Sequence, residues 1–241
     1  MVRMKNVLRG IGRNYGSLVN TRNDIKYNSS GLSKLDDIIG GGWPEGSLIE
    51  FYGCNNSGKS MLGLRAIAER HTQDEICCYI GASNFIDLKN VTGLGINPEL
   101  LYISYPLNIE DGLEIIESMV NLPEVRLIVI DSITGLLPSL ELDSCIGTDF
   151  KWLQSSIVTQ GFGRLSSIIA KTKTTLIYVN NVRVNFNKHI NTSWVSSCGQ
   201  SLKFMTPLRI ECSVKDDTNL KIEITKNKVN GRLGSMEYNI A

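Results

Sequence analysis

Residues Gly53-Cys54-Asn55-Asn56-Ser57-Gly58-Lys59-Ser60 match the pattern G-x-x-x-x-G-K-[ST] in full. Such a loop needs a strand before it and a helix after it. Ser47–Tyr52 reads as a short apolar strand with β-branched and aromatic residues, and Met61–Glu69 as a helix. Glycines let backbone N–H groups turn toward phosphate oxygens without Cβ obstruction. The helix that starts near Gly58 adds the partial positive charge of its N-terminus. Lys59 is then expected to reach the β- and γ-phosphates of a nucleoside triphosphate, and the Ser60 hydroxyl to ligate Mg²⁺. Gly53, Cys54, Asn55, Asn56, Ser57, Gly58, Lys59, Ser60 and Met61 are the candidate nucleotide-binding residues. A chance match in a glycine-containing loop would lack the flanking strand and helix.

A second element supports this reading. Leu127-Ile128-Val129-Ile130-Asp131 is an aliphatic strand ending in a carboxylate, about seventy residues after the loop. An acid at the carboxyl end of a buried strand lies where α/β sheets place their ligands, and it can hold Mg²⁺ through water. Helical segments at Asn108–Asn121 and Lys151–Thr172 alternate with strands at Glu75–Ile80, Arg126–Ile130 and Thr175–Asn180. The fold class is therefore α/β, a mostly parallel twisted sheet flanked by helices. Leu208–Ser213 and Leu220–Lys226 read as a C-terminal β-hairpin extending one edge.

Net charge is +1, so an anionic macromolecule would have to be met by a local patch rather than by the field of the whole molecule. No apolar run approaches membrane-spanning length, and the chain reads as cytoplasmic, in a host cytoplasm if phage-encoded, with no membrane partner. Cys54, Cys77, Cys78, Cys145, Cys198 and Cys212 form no C-x-x-C pair and no metal spacing with His71 or His189; they read as small buried hydrophobes in a reducing compartment. Residues 1–23 carry Arg3, Lys5, Arg9, Arg13 and Arg22 with no acid. That pattern suits a basic docking arm and faintly resembles a transit peptide.

Beyond the loop, the chain resembles the RecA recombinases of bacteria and their phage relatives, over roughly residues 31–241. The lead-in from Gly31 to Gly42, and Pro44 to Gly53 running into the phosphate loop, are similar to the family's entry to its core. Asp131-Ser132 followed by Leu136-Leu137-Pro138 resembles the family's Walker B strand and first DNA-binding loop, here about Glu141–Asp149. Tyr178–Arg183 resembles the strand that carries its γ-phosphate sensor, Cys198–Phe204 the end of its second DNA-binding loop, and Thr225–Lys228 its paired-lysine element. The family's C-terminal domain has no counterpart in this sequence, and residues 1–30 form a short N-terminal segment. That segment either packs on a neighbouring subunit, as the family's polymerising arm does, or hangs free.

The resemblance implies a RecA-like P-loop NTPase core at residues 31–241 that binds ATP and Mg²⁺ and assembles as a helical homo-oligomer on single-stranded DNA for pairing and strand exchange. One subunit would supply Lys59, Ser60 and Asp131, the last two as magnesium ligands. Its neighbour would supply Lys226 and Lys228, and Asn181 would stand at the sensor position. The polar stretch Val184–Ser197 is too long for a connecting turn. As the second DNA-binding loop it offers Lys188 and His189 to phosphates, and Phe186, Ile190 and Trp194 to wedge against or stack on bases. Lys151, Arg183 and Gly199 complete the candidate DNA-binding set. As a surface loop with ordinary exposed lysines, the same stretch would contact nothing.

The departures concern catalysis. Where the family keeps a glutamate that activates the attacking water, this sequence has Ser83, whose hydroxyl has no useful basicity near neutral pH. The sensor glutamine is Asn181, shorter by a methylene. A basic residue expected near Ser156 is missing, with Lys151 or Arg164 as compensating candidates; Glu50 and Asp87 are candidate substitute bases. Nucleotide binding with slow or absent hydrolysis is the expectation. The alternatives are a catalytically impaired paralogue that binds ATP and modulates a recombination filament, and another RecA-fold DNA motor.

Overall fold

A computed structural model describes residues 25–82, 86, 88–145, 150–185, 193–197, 199–216 and 218–239. After a small β1 (Tyr27–Asn28) come helix α1 (Ser33–Ile39), β2 (Trp43–Pro44) and β3 (Leu48–Gly53). Helix α2 (Lys59–His71), β4 (Ile76–Gly81), α3 (Leu88–Gly93), β5 (Leu101–Ser104), α4 (Ile109–Val120) and β6 (Val125–Asp131) follow. Then α5 (Ser139–Leu142), the long α6 (Lys151–Thr172), β7 (Thr175–Asn185), β8 (Ser193–Ser196) and α7 (Gly199–Met205) lead to β9 (Leu208–Val214), β10 (Asn219–Asn227) and β11 (Gly234–Asn239).

The main sheet runs β11-β10-β9-β3-β7-β6-β4-β5, with β8 paired to β7. From β9 to β5 all neighbours are parallel. Antiparallel β10 pairs with β9, the hairpin read from the sequence, and β11 extends that edge by one strand the sequence reading did not include. Residues alternate between two buried faces. Cys77, Tyr79, Leu127, Val129 and Ile177 pack with α1 and α2, while Cys78, Ile80, Ile128, Ile130 and Leu176 pack with α4 and α6. Burial on both sides is why these strands are nearly continuous aliphatic runs.

Helix boundaries follow local chemistry. Asn108 caps α4, its side chain accepting from the Asp111 N–H at 2.8 Å, with Glu110 and Asp111 in the first turn. In α6 the buried Gln154 donates to the Leu136 carbonyl at 2.7 Å, which fixes the start of the helix against the segment after β6.

The stretch Val184–Ser197, read as one long loop, is organised differently at its ends. β7 continues to Asn185 and β8 returns antiparallel, pairing Val184 with Trp194 and Val182 with Ser196. Val182, Val184, Trp194 and Val195 are residue types that favour a pleated ladder, so the ends of the stretch form a hairpin stem.

His71, buried at the end of α2, accepts the Asn97 N–H on Nδ1 at 3.0 Å. Burial holds its pKa below the ordinary histidine value, against an opposing contact with the Leu100 backbone. The unfolded chain therefore takes up a proton more readily than the folded one. The stabilising contribution is complete above about pH 6.5 and is lost as pH falls from there through the lower folded value. Urea midpoints should drop between about pH 7.5 and about pH 5.5, and His71→Gln should flatten that drop.

Candidate nucleotide-binding site

The phosphate loop lies at the carboxyl end of β3, where Gly53 pairs with Asn181 of β7. Its glycines answer to crowding from the neighbouring strands. A Cβ on Gly53 would lie 2.0 Å from the Cys212 carbonyl oxygen of β9. One on Gly58, at φ 79°, would lie 2.1 Å from Leu220 Cδ1 of β10. Gly58 caps α2 without any side-chain hydrogen bond, so the first N–H groups of a 13-residue helix are left for a ligand. Cys54, Asn55, Asn56 and Ser60 are exposed, Met61 is half-buried, and Ser57 is buried.

Lys59 is only 6% exposed. Its ammonium donates to the Gly53 carbonyl at 3.1 Å, to Ser57 Oγ at 3.3 Å and to the Cys54 carbonyl. Burial lowers its pKa, opposed by Cys212, Asp131 and Cys54. A desolvated cation ringed by its own loop's oxygens, below an uncapped helix terminus, is a strong binding element for a polyphosphate.

Asp131 ends β6, opposite Gly81 at the end of β4. Its carbonyl accepts the Ala82 N–H at 2.9 Å, and its carboxylate accepts the Tyr79 hydroxyl at 3.0 Å. Beyond it, Asn181 Nδ2 donates to Thr134 Oγ1 at 3.2 Å, and that hydroxyl is 3.1 Å from Ser132 Oγ. The donor set of an exposed Ser60 hydroxyl and a half-buried carboxylate consists of hard oxygens, which suits Mg²⁺. Residues from three strand ends thus meet at one edge, with Ser60 and Asp131 as candidate metal ligands and Lys59 as the candidate phosphate-binding cation.

Several other expected residues lie elsewhere. Lys226 sits on β10 opposite Arg209, in the row of Glu50 and well back from the Gly53 end of the sheet. Its ammonium donates to the Lys203 and Phe204 carbonyls, and burial lowers its pKa, assisted by the charges of Lys228 and Arg209. Lys228 stands 4.4 Å above the ring of Phe204, itself 76% exposed. Neither lysine belongs to this chain's own phosphate loop; half-buried Lys226 and exposed Lys228 form a cluster with Phe204.

Glu50 is not placed as a base. It is fully buried, ion-paired with Arg209 Nε and bonded by Asn180 Nδ2 at 2.8 Å. Arg164 pairs with Glu117 of α4 at 3.1 Å on the surface. Cys54 and Cys145 are exposed, unlike the buried Cys77, Cys78 and Cys212, because the first lies in the phosphate loop and the second after α5.

In the candidate DNA-binding set, Lys151 opens α6 and Arg183 lies on β7 opposite Val195. Trp194 lies on β8, and exposed Gly199 opens α7. Ser83, Asp87, Phe186, Lys188, His189, Ile190 and Cys198 lie outside the described residues, as do residues 1–24 and 146–149. Tyr79 escaped the sequence reading. Its one signal there is a phenol within the otherwise aliphatic and thiol-bearing run Ile76–Ile80.

A family model described as the RecA N-terminal domain matches residues 3–240. The chain belongs to the RecA family. Its relatives include Protein RecA of Mesoplasma florum, 33% identical over 238 residues, covering 92% of this chain and 72% of that protein. Protein RecA of Latilactobacillus sakei is 34% identical over 235 residues, covering 93% of this chain and 66% of that protein. Protein RecA of Desulforapulum autotrophicum is 33% identical over 222 residues, covering 88% and 64% respectively. The chain therefore spans roughly two thirds of these RecA proteins. Among the described residues no helix is long and apolar enough to cross a membrane.

Proposed function

We propose that this RecA-family chain binds ATP with Mg²⁺ at Gly53–Ser60 and Asp131, and assembles as a helical filament on single-stranded DNA for homologous pairing and strand exchange. The observation that carries the reading is the buried Lys59 ammonium, held beneath an uncapped helix terminus and within the electrostatic reach of Asp131. Bound nucleotide supplies a γ-phosphoryl group for transfer to water; Lys59 and the α2 N-terminus bind the phosphates, and Asn181 reports on the terminal one.

The lysine pair supports assembly. Because Lys226 and Lys228 stand back from their own phosphate loop, a nucleotide could meet them only across a contact between subunits. The β7–β8 hairpin stem lies at the carboxyl end of the sheet, the same end as the phosphate loop, and contact with DNA by Phe186, Lys188, His189 and Ile190, which fall between its two strands in sequence, is part of this reading.

Hydrolysis is weak on this reading, since Ser83 offers no base and Glu50 is committed to Arg209. Negative-stain microscopy with single-stranded DNA and a slowly hydrolysed ATP analogue should show helical filaments. Steady-state turnover with ATP and DNA should stay far below that of a typical recombinase. Closed hexamers would favour another RecA-fold motor, and no assembly a paralogue that modulates another filament. Fast turnover that is lost on Lys59→Ala and kept on Ser83→Ala would sink the account of weak hydrolysis.

A further inference from the structure

Asp131 is held at two points, from β4 and from the residue that follows that strand. The Ala82 N–H binds its main-chain carbonyl at 2.9 Å, and the Tyr79 hydroxyl binds its carboxylate Oδ2 at 3.0 Å. Tyr79 is 4% exposed, and its body is packed in the core layer beneath α2 with Leu127 and Val129. The hydroxyl is thus the one polar atom that this rigid side chain brings to the carboxyl end of the sheet. Among the described residues, no other side chain hydrogen-bonds to Asp131.

We propose that Tyr79 is a positioning residue for the magnesium ion, acting through Asp131. The inference rests on the nucleotide reading above. A half-buried carboxylate with one oxygen pinned has lost most of its freedom to rotate, and its other oxygen is left for the metal and its waters. Without the pin, the carboxylate can rotate toward the Lys59 ammonium, on which its charge already acts, and the metal position loses a preset ligand. Outer partners that orient a ligand typically matter about 10–100-fold in metal affinity. Contact through water places the expected effect at the low end of that range.

The test is Tyr79→Phe, which keeps the packed ring and removes only the hydroxyl. Binding of a fluorescent ATP analogue is followed while Mg²⁺ is titrated, and again in EDTA. The same pair of measurements is made in an Asp131→Asn background, where a residue acting through the carboxylate has nothing left to act on. The expected result is a Mg²⁺ midpoint raised about tenfold, unchanged affinity in EDTA, and no further effect of Tyr79→Phe when Asp131 is already asparagine.

An unchanged or lowered midpoint overturns the proposal. So does an equal loss of affinity in EDTA, or an undiminished effect in the Asp131→Asn background, since either marks Tyr79 as packing only. A wild-type protein that binds no nucleotide overturns the nucleotide reading and this inference together. A wild type that binds Mg²⁺–nucleotide beside an indifferent Tyr79→Phe removes this inference alone.

Discussion

Replacing Lys59 with alanine should weaken nucleotide binding by roughly 100-fold or more while leaving the fold about as stable as before. The two halves of that expectation come from different physics. An ammonium bridging phosphate oxygens makes charge-assisted hydrogen bonds of about 1.5–3 kcal/mol each, and about 1.4 kcal/mol is a factor of ten in affinity. In the protein alone, the same ammonium donates to the Gly53 and Cys54 carbonyls and to Ser57 Oγ, but burial works against its charged form. The carbonyls it would leave lie beside an exposed stretch of loop, Cys54–Asn56, where water can replace the lost donor. The stability change should therefore stay within about 1 kcal/mol, the net worth of an ordinary hydrogen bond. Titration with a fluorescent ATP analogue and urea unfolding of the same variant check both halves. A variant that binds Mg²⁺–nucleotide like the wild type would remove Gly53–Ser60 as the binding site.

What was legible in the sequence depended on how far each signal extends along the chain. β3, β6 and the first half of β7 were legible because burial on both faces demands an aliphatic run, and Lys151–Thr172 because an uninterrupted helix repeats its apolar spacing over several turns. β5 and β11 left no such mark. β5 is four residues at the sheet edge, with Tyr102 54% exposed, and β11 alternates half-buried and exposed positions along the other edge. The setting of the loop Gly53–Ser60, between β3 and α2, was legible, since its pattern is local. The environment of its partners was not. Tyr79 meets Asp131 across 52 positions and Glu50 meets Arg209 across 159, so only the parallel register of β4, β6, β3 and β9 brings them together. Glu50 shows the cost of judging by sequence proximity. Three residues before the loop it suggests a substitute catalytic base, yet its side chain lies on the core face opposite the one that carries Phe51.

Glu50→Ala should destabilise the fold by about 3–5 kcal/mol, the cost of stranding a buried partner of an ion pair. Glu50 is the hub of a polar cluster inside an apolar layer. Arg209 Nε and Asn180 Nδ2 both donate to its carboxylate, and Asn180 Nδ2 also donates to the Ser197 carbonyl at 3.0 Å. Arg209 lies 4.4 Å over the Tyr52 ring, and the Tyr52 hydroxyl is bonded to Thr225 at 2.9 Å. Removing the carboxylate takes one acceptor from a guanidinium and one from an amide in a region that little water reaches. Glu50→Gln keeps an acceptor oxygen for one of the two donors and should cost less, about 1–3 kcal/mol. Replacing both charged partners, Glu50→Leu with Arg209→Met, should recover much of the loss, because desolvating the pair had offset most of its attraction. Urea unfolding of the three variants gives the order directly. If Glu50→Ala costs less than about 1 kcal/mol the pair does not hold the fold, and if Glu50→Gln abolishes turnover at unchanged stability the carboxylate is a catalytic group after all. The expected order carries a functional consequence. Asn180 precedes Asn181, the proposed sensor residue, and Ser197 donates its N–H to the Asn181 carbonyl at the end of the hairpin stem, so loosening Glu50 should free the strand that leads from the proposed nucleotide site into that stem.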